Sequence, residues 1–235
     1  MTGLVSWESV CSVFLDMDGT LLDLHYDNYF WLEHVPRRYA QRHGMDEAEA
    51  RRELLQRYRR VEGSLQWYCV DYWTRELGLD IRALKHEVAG RIAVHPHVEA
   101  FLEAAHASGR RLVLLTNAHR ASVQLKLGRT GLGRYFQRVV VSHDLGAAKE
   151  SAAFWPALRR HEPHDPAATL LVDDNLDVLE AARAAGIGHL VAVRRPDARG
   201  PERDTGPFPA ISDFRDLMPV PALGHAARQA CTHVS

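Results

Sequence analysis

Val13-Phe14-Leu15-Asp16-Met17-Asp18-Gly19-Thr20 is the stretch on which the reading of the fold turns. Val13 to Leu15 have the composition of a buried strand, and two carboxylates emerge directly after them. That is where open α/β sheets place their ligands, at the carboxyl ends of the strands. Gly19 allows the chain to turn sharply once both have been presented. The pair can serve as a nucleophile beside a proton donor. A strand followed by an Asp-Gly turn is also a common arrangement with no chemistry attached.

Working outward, the same kind of apolar run recurs at Leu112-Val113-Leu114-Leu115, Val139-Val140-Val141, Leu170-Leu171-Val172 and residues 190–193. Helical patterns at residues 122–127, 151–160 and 178–185 separate these runs. Strands without polar alternation are buried on both faces, so the expectation is an α/β fold with a doubly wound parallel sheet. The first strand is cut off from the others by about seventy residues, far longer than a connecting loop. Within that insertion Leu54, Leu55 and Tyr58 form a helical stripe, residues 67–77 continue as an amphipathic pattern, and Gly78 suits a helix end. The expected organisation is therefore a core of residues 1–23 and 94–220, a helical cap at 24–93, and a C-terminal tail at 221–235. Ile211, Phe214, Leu217 and Met218 suit a last helix docked on the core.

Composition narrows the function. With 46% hydrophobic residues in 235 the chain can bury a sizeable core. Its 29 basic and 30 acidic residues leave a formal charge of -1, so no net field gathers a nucleic acid polymer or an anionic membrane. A small-molecule partner is expected, and a monomer and a homodimer are both open. Cys11, Cys69 and Cys231 are few, odd in number and widely spaced, which suits a reducing, cytoplasmic setting better than a disulfide framework. Residues 1–10 lack the basic and apolar segments of a secretion signal.

Polar residues accumulate after the apolar runs: Asp16 and Asp18, Thr116-Asn117, Lys149, and Asp173-Asp174. In a parallel sheet these ends converge. Together they supply a nucleophile, a second carboxylate as acid and base, a hydroxyl and an amide, a cation, and an acidic pair able to hold a hard divalent metal with Asp16. Phosphoryl transfer needs these parts, with Mg²⁺, Lys149 and the Thr116 hydroxyl neutralising and fixing the phosphate. Each member also has a plainer reading. Thr116-Asn117 and Asp173-Asp174 can cap helices, and Lys149 can be a solvated surface lysine.

The four motifs Asp16-Met17-Asp18-Gly19-Thr20, Thr116-Asn117, Lys149 and Asp173-Asp174 resemble those of the haloacid dehalogenase superfamily, in its branch with a helical cap after the first motif. The resemblance implies a Rossmann-like core and an aspartyl-phosphate on Asp16, with Asp18 as acid and then base. It also implies Mg²⁺ held by Asp16, the backbone carbonyl of Asp18, Asp173 and Asp174. Asp27-Asn28-Tyr29-Phe30-Trp31, residues 67–81, Ala118-His119 and residues 126–132 further resemble the bacterial GMP/IMP 5'-nucleotidases within it. That implies a purine 5'-monophosphate substrate. Aromatic residues at both borders of the cap suit base stacking or cap packing, and Asp27, Asn28 or Asp71 can be imagined reading the purine edge. Rival readings are a phosphatase of the same machinery for a sugar phosphate or phosphoglycolate, and a non-catalytic binding module.

Overall fold

The apolar runs assemble into one six-stranded sheet in the computed structural model, which describes residues 4–224 and Cys231. The strands are β1 (Ser12–Leu15), β2 (Arg111–Thr116), β3 (Arg138–Val141), β4 (Thr169–Asp173), β5 (His189–Val193) and β6 (Ala210–Ile211). Their order is β3-β2-β1-β4-β5-β6, and every pairing is parallel. Strand β1 lies between β2 and β4, with Leu15 opposite Leu114 and Val172. One residue further along, Asp16 therefore stands level with Asp173.

Successive residues of β1 feed opposite layers, because side chains alternate along a strand. Val13 and Leu15 pack with Leu112, Leu114, Phe101 and Leu102 on one face. Phe14 packs with Val113, Leu171, Phe154 and Leu179 on the other. All of these are fully buried, each contributing about 1.5–3 kcal/mol relative to exposure. The connecting helices are α7 (Val98–Ala107), α8 (Arg120–Thr130), α9 (Ser142–Leu145), α10 (Phe154–His161) and α11 (Leu176–Ala184), numbered after six in the insertion.

Those six are α1 (His25–Tyr29), α2 (Val35–His43), α3 (Glu47–Val61), α4 (Leu65–Tyr68), α5 (Val70–Leu77) and α6 (Ile81–Glu87). A π-turn, Phe30–His34, joins α1 to α2. Residues 37–60, rich in Arg and Glu, are broken by Gly44, whose φ of 64° ends α2, and Asp46 restarts α3 by accepting from Ala48 N at 2.8 Å. Residues 67–77 also divide. Cys69 leaves helical geometry, and its Sγ accepts from Tyr72 N to start α5. The insertion has its own core around Phe30, Leu54, Trp73, Leu77 and Ile81.

Three expectations change at the C-terminal end. The apolar residues after 210 form strand β6 and a single 3₁₀ turn, Phe214–Leu217, which docks Phe214 and Leu217 on the core in place of a longer helix; Met218 is exposed. The stretch is too short and too rich in Pro for a helix to outcompete strand addition at the sheet edge. The tail also begins attached to the core, since Leu223 is buried and its N–H donates to Ser108 O at 2.9 Å. The buried Arg110 guanidinium donates to Trp7 O, Val10 O and Pro221 O, at 2.7, 3.0 and 2.5 Å, so one cation gathers carbonyls from both ends of the chain. The rest of the expected tail, residues 225–230 and 232–235, lies outside the described residues. Finally, Cys11 and Cys231 form a disulfide with a Cα–Cα distance of 5.5 Å, leaving Cys69 as a free thiol. Wide spacing in sequence did not keep them apart, because Arg110 and Leu223 bring the C-terminal segment back to the start of β1. The cysteine-based inference of a reducing compartment loses its footing. No helix among the described residues is long and apolar enough to cross a membrane.

A disulfide spanning 220 residues constrains the unfolded chain strongly, typically by about 2–4 kcal/mol. Cys231→Ser is expected to lower unfolding stability by that amount in urea without reductant, and thiol titration of the unfolded native protein should find one free thiol, rising to three after reduction.

Candidate active site

Asp16 leaves the end of β1 with its N–H donating to Val172 O at 3.0 Å, so it is fixed by the sheet itself. Its side chain is 8% exposed. Lys149, 2% exposed, brings Nζ to 2.6 Å from Asp16 Oδ1 and 2.6 Å from Asp173 Oδ2, and donates to Leu115 O at 3.2 Å. Three strand ends thus meet on one ammonium. The lysine is held from behind: its N–H donates to Asn117 Oδ1 at 2.9 Å, and its carbonyl accepts from Trp155 Nε1 at 3.0 Å. Neighbouring Glu150 accepts from Asn117 Nδ2, Asn175 Nδ2 and the Tyr68 hydroxyl, the last belonging to α4 of the insertion.

Burial pushes the Asp16 carboxyl up to about 7 despite the Lys149 ammonium beside it. The same burial works against the Lys149 charge, but Asp16 and Asp173 outweigh it and hold that ammonium above the ordinary lysine range. Asp174 lies well above the carboxylate range, through burial first and then repulsion from Asp16 and Asp173. Its nearest cation is Arg203, whose Nη2 is 3.5 Å from Oδ2. When all three are ionised, the carboxylates outnumber the two cations beside them, Lys149 and Arg203. Asp16, Asp173 and Asp174 each offer an oxygen, all within 4.8 Å of one another. An all-oxygen, anionic donor set of this kind fits a hard divalent cation such as Mg²⁺.

Gly19 makes this packing possible. Its φ is 86°, and a Cβ there would sit 2.7 Å from both Cγ and Oδ2 of Asp174. Asp18, two residues beyond Asp16, has Oδ1 at 2.7 Å from Lys126 Nζ. Burial pushes its carboxyl up to about 6 against the pull of Lys126. Thr116, at the end of β2, is buried, and its Oγ1 accepts from Ala118 N at 3.0 Å, which leaves the hydroxyl proton to donate.

One cavity of about 570 Å³ joins these residues to the insertion, within the usual range for small-molecule sites. Asp16, Asp18, Thr116 and Lys149 line it on the core side, and Trp31, Tyr58 and Trp67 on the helical side. The aromatic cluster divides: Phe30 is buried in the insertion's core, Trp73 is buried and also reaches the cavity, and Trp31 and Trp67 are partly exposed along it.

Several residues sit differently from expectation. Asp27 lines the cavity but is already paired, with Lys126 Nζ at 2.6 Å from Oδ2 and Lys85 Nζ at 3.4 Å from Oδ1. Burial raises its carboxyl, yet the two lysines outweigh that and hold it below the usual range, so it is no free acceptor for a purine N–H. Asp71 is absent from the cavity lining; its side chain is 65% exposed, 3.6 Å from His119 Nε2. Asn28 lines the cavity while its Nδ2 donates to Asp197 at 2.7 Å. The amide of Asn117 ties Lys149 and Glu150 in place, with its Oδ1 occupied. The Asp18 carboxylate stands apart from the three-carboxylate cluster. Lys149 is buried rather than solvated, and Asn175 is the residue that caps α11, accepting from Asp177 N. Lys126, Lys85, Glu150, Tyr68 and Arg203 carry no strand-end signal and were not predicted from sequence.

Residues 12–186 match the haloacid dehalogenase-like hydrolases. Over 215 residues, 92% of this chain and 97% of the relative, the sequence is 39% identical to the GMP/IMP nucleotidase YrfG of Escherichia coli (strain K12). Over 165 residues it is 27% identical to the phosphoglycolate phosphatase of Salmonella typhi, covering 63% of this chain and 61% of that one. The solved structure of a HAD phosphatase from Thermococcus onnurineus matches with a TM-score of 0.73 at 24% identity, covering 88% of this chain and 95% of that one.

Replacing Gly19 tests the crowding at Asp174. Gly19→Ala combines a left-handed backbone with a Cβ against Asp174, and is expected to cost about 1–3 kcal/mol in denaturant unfolding and to displace Asp174, abolishing most phosphatase activity.

Proposed function

The chain belongs to the haloacid dehalogenase-like hydrolase family, and from that premise we propose that it is a Mg²⁺-dependent 5'-nucleotidase acting on purine mononucleotides, GMP and IMP. The observation that carries the proposal is the single cavity whose floor holds Asp16, Asp18 and Lys149 and whose far wall holds Trp31, Tyr58 and Trp67. The floor suits a phosphate. The wall offers aromatic faces on which a base can stack, and identity to a GMP/IMP nucleotidase over nearly the whole chain supports the purine assignment.

In this reading Asp16 attacks phosphorus, forming a P–O bond to its carboxylate as the bond to the ester oxygen breaks. The leaving alkoxide takes the Asp18 proton. Water then attacks the aspartyl-phosphate, gives its proton to Asp18, and releases inorganic phosphate while restoring Asp16. Lys149 orients Asp16 and stabilises charge gathering on the phosphoryl oxygens, and Thr116 donates its hydroxyl proton to one of them. Mg²⁺, held by Asp16, Asp173, Asp174 and the backbone carbonyl of Asp18, would supply further charge neutralisation.

Asp16→Asn should abolish phosphate release, and EDTA should do the same until Mg²⁺ is restored; an undiminished rate in either case refutes the mechanism. Across a panel of phosphomonoesters, kcat/KM should be highest for GMP and IMP. A large preference for a sugar phosphate or phosphoglycolate would overturn the substrate assignment and leave the chemistry standing.

A further inference from the structure

One charge cluster joins the core to the helical insertion and shares only Asp18 with the strand-end set. Lys126, in α8, is 1% exposed, and its Nζ lies 2.7 Å from Asp18 Oδ1 and 2.6 Å from Asp27 Oδ2. Asp27 is on α1, the first helix of the insertion, and its Oδ1 is 3.4 Å from Lys85 on α6. The Tyr26 ring stands 5.0 Å from the Lys126 ammonium. Burying such a cluster is costly, and apolar side chains of similar volume often stabilise a fold as well or better. Stability is thus a weak reason for an ammonium here.

Geometry supplies a better one. Among the described residues the Asp18 side chain is met by this ion pair at Oδ1, an oxygen buried without a hydrogen-bond partner, and no ion pair reaches Oδ2. Asp27 Oδ2 accepts a hydrogen bond from Lys126 at 2.6 Å, and the Tyr26 ring packs against the same ammonium. We propose that Lys126 is a positioning residue: anchored by Asp27, it grips Asp18 by Oδ1 so that Oδ2 faces the ester oxygen and delivers its proton to it. The inference rests on the reading of Asp18 as the acid. In the step concerned, the ester P–O bond breaks, its oxygen receives the Asp18 proton, and phosphorus becomes bonded to Asp16. Because Asp27 comes from the insertion, alignment of the acid depends on α1 being docked against α8.

A misaligned acid matters only when the leaving group needs a proton. An alkoxide does, and general acid catalysis there is worth about 10²–10⁴-fold; p-nitrophenolate departs without one. The test is the single-turnover rate of leaving-group release from GMP and glycerol phosphate, as alkyl esters, against p-nitrophenyl phosphate. Wild type, Lys126→Met, Asp27→Asn and Asp18→Asn are compared. The alkyl-to-aryl rate ratio should fall about 30-fold or more in Lys126→Met and by a smaller factor, about 3–10-fold, in Asp27→Asn, where an amide oxygen still accepts from Lys126. Rates falling by one common factor for both ester classes, or not falling, overturn the proposal, since a structural defect has no reason to sort leaving groups. If Lys126→Met does not fold, Asp27→Asn decides by the same criterion. A ratio that drops in Asp18→Asn and not in the other variants removes the positioning role alone. A ratio unmoved in Asp18→Asn removes the acid assignment, and the positioning role with it.

Discussion

Three carboxylates from the ends of β1 and β4 are crowded at the base of one cavity, two of them buried, and Lys149 is the cation that makes this tolerable. Its Nζ is 2.6 Å from both Asp16 and Asp173. Removing one member of a buried pair leaves an uncompensated charge and is far more costly than the net worth of the pair. The loop carrying Lys149 is accordingly tied down at its backbone by Asn117 and Trp155 and at its neighbour Glu150 by Asn117, Asn175 and Tyr68. These ties come from β2, α10, the start of α11 and the helical insertion, so the placement of one ammonium draws on most of the fold. Even so, Lys149 pairs with only two of the three carboxylates, and an all-oxygen donor set of this kind fits a hard divalent cation.

The insertion meets the core through polar contacts as well as aromatic walls. Tyr68 reaches Glu150, Asp27 reaches Lys126, and Asn28 reaches Asp197. Two of these lead directly to residues touching the strand-end cluster: Glu150 adjoins Lys149, and Lys126 faces Asp18. Contacts between the two parts of the chain are therefore also contacts with the candidate chemistry. The wall of Trp31, Tyr58 and Trp67 rests on a core of its own, in which Tyr58 and Trp73 pack edge to face with centroids 5.0 Å apart. A wall supported in this way keeps its shape independently of what it faces.

Apolar runs of three or four residues separated by helical patterns have few ways to bury both faces, and this is why the parallel sheet was legible in advance. The strand-end residues were legible for the same reason: once the strands are parallel, Asp16, Thr116 and Asp173 must emerge on one side. β6 was missed because two residues carry no periodicity, and their strand character comes from pairing with Ala192 and Val193. Lys126 was passed over because a lysine inside a helix reads as solvated until the helix is seen packed against Asp18.

The sequence by itself determined the fold class, the helical insertion after the first motif, and the identity of the strand-end carboxylates, because these depend on local pattern and on the fixed geometry of parallel strands. Only the tertiary structure decided that Asp27 is neutralised by two lysines, that Asp71 faces solvent, and that Cys11 meets Cys231 across the whole chain. Each of those depends on how one segment docks on another, and docking is settled by long-range packing and charge pairing that no stretch of sequence contains.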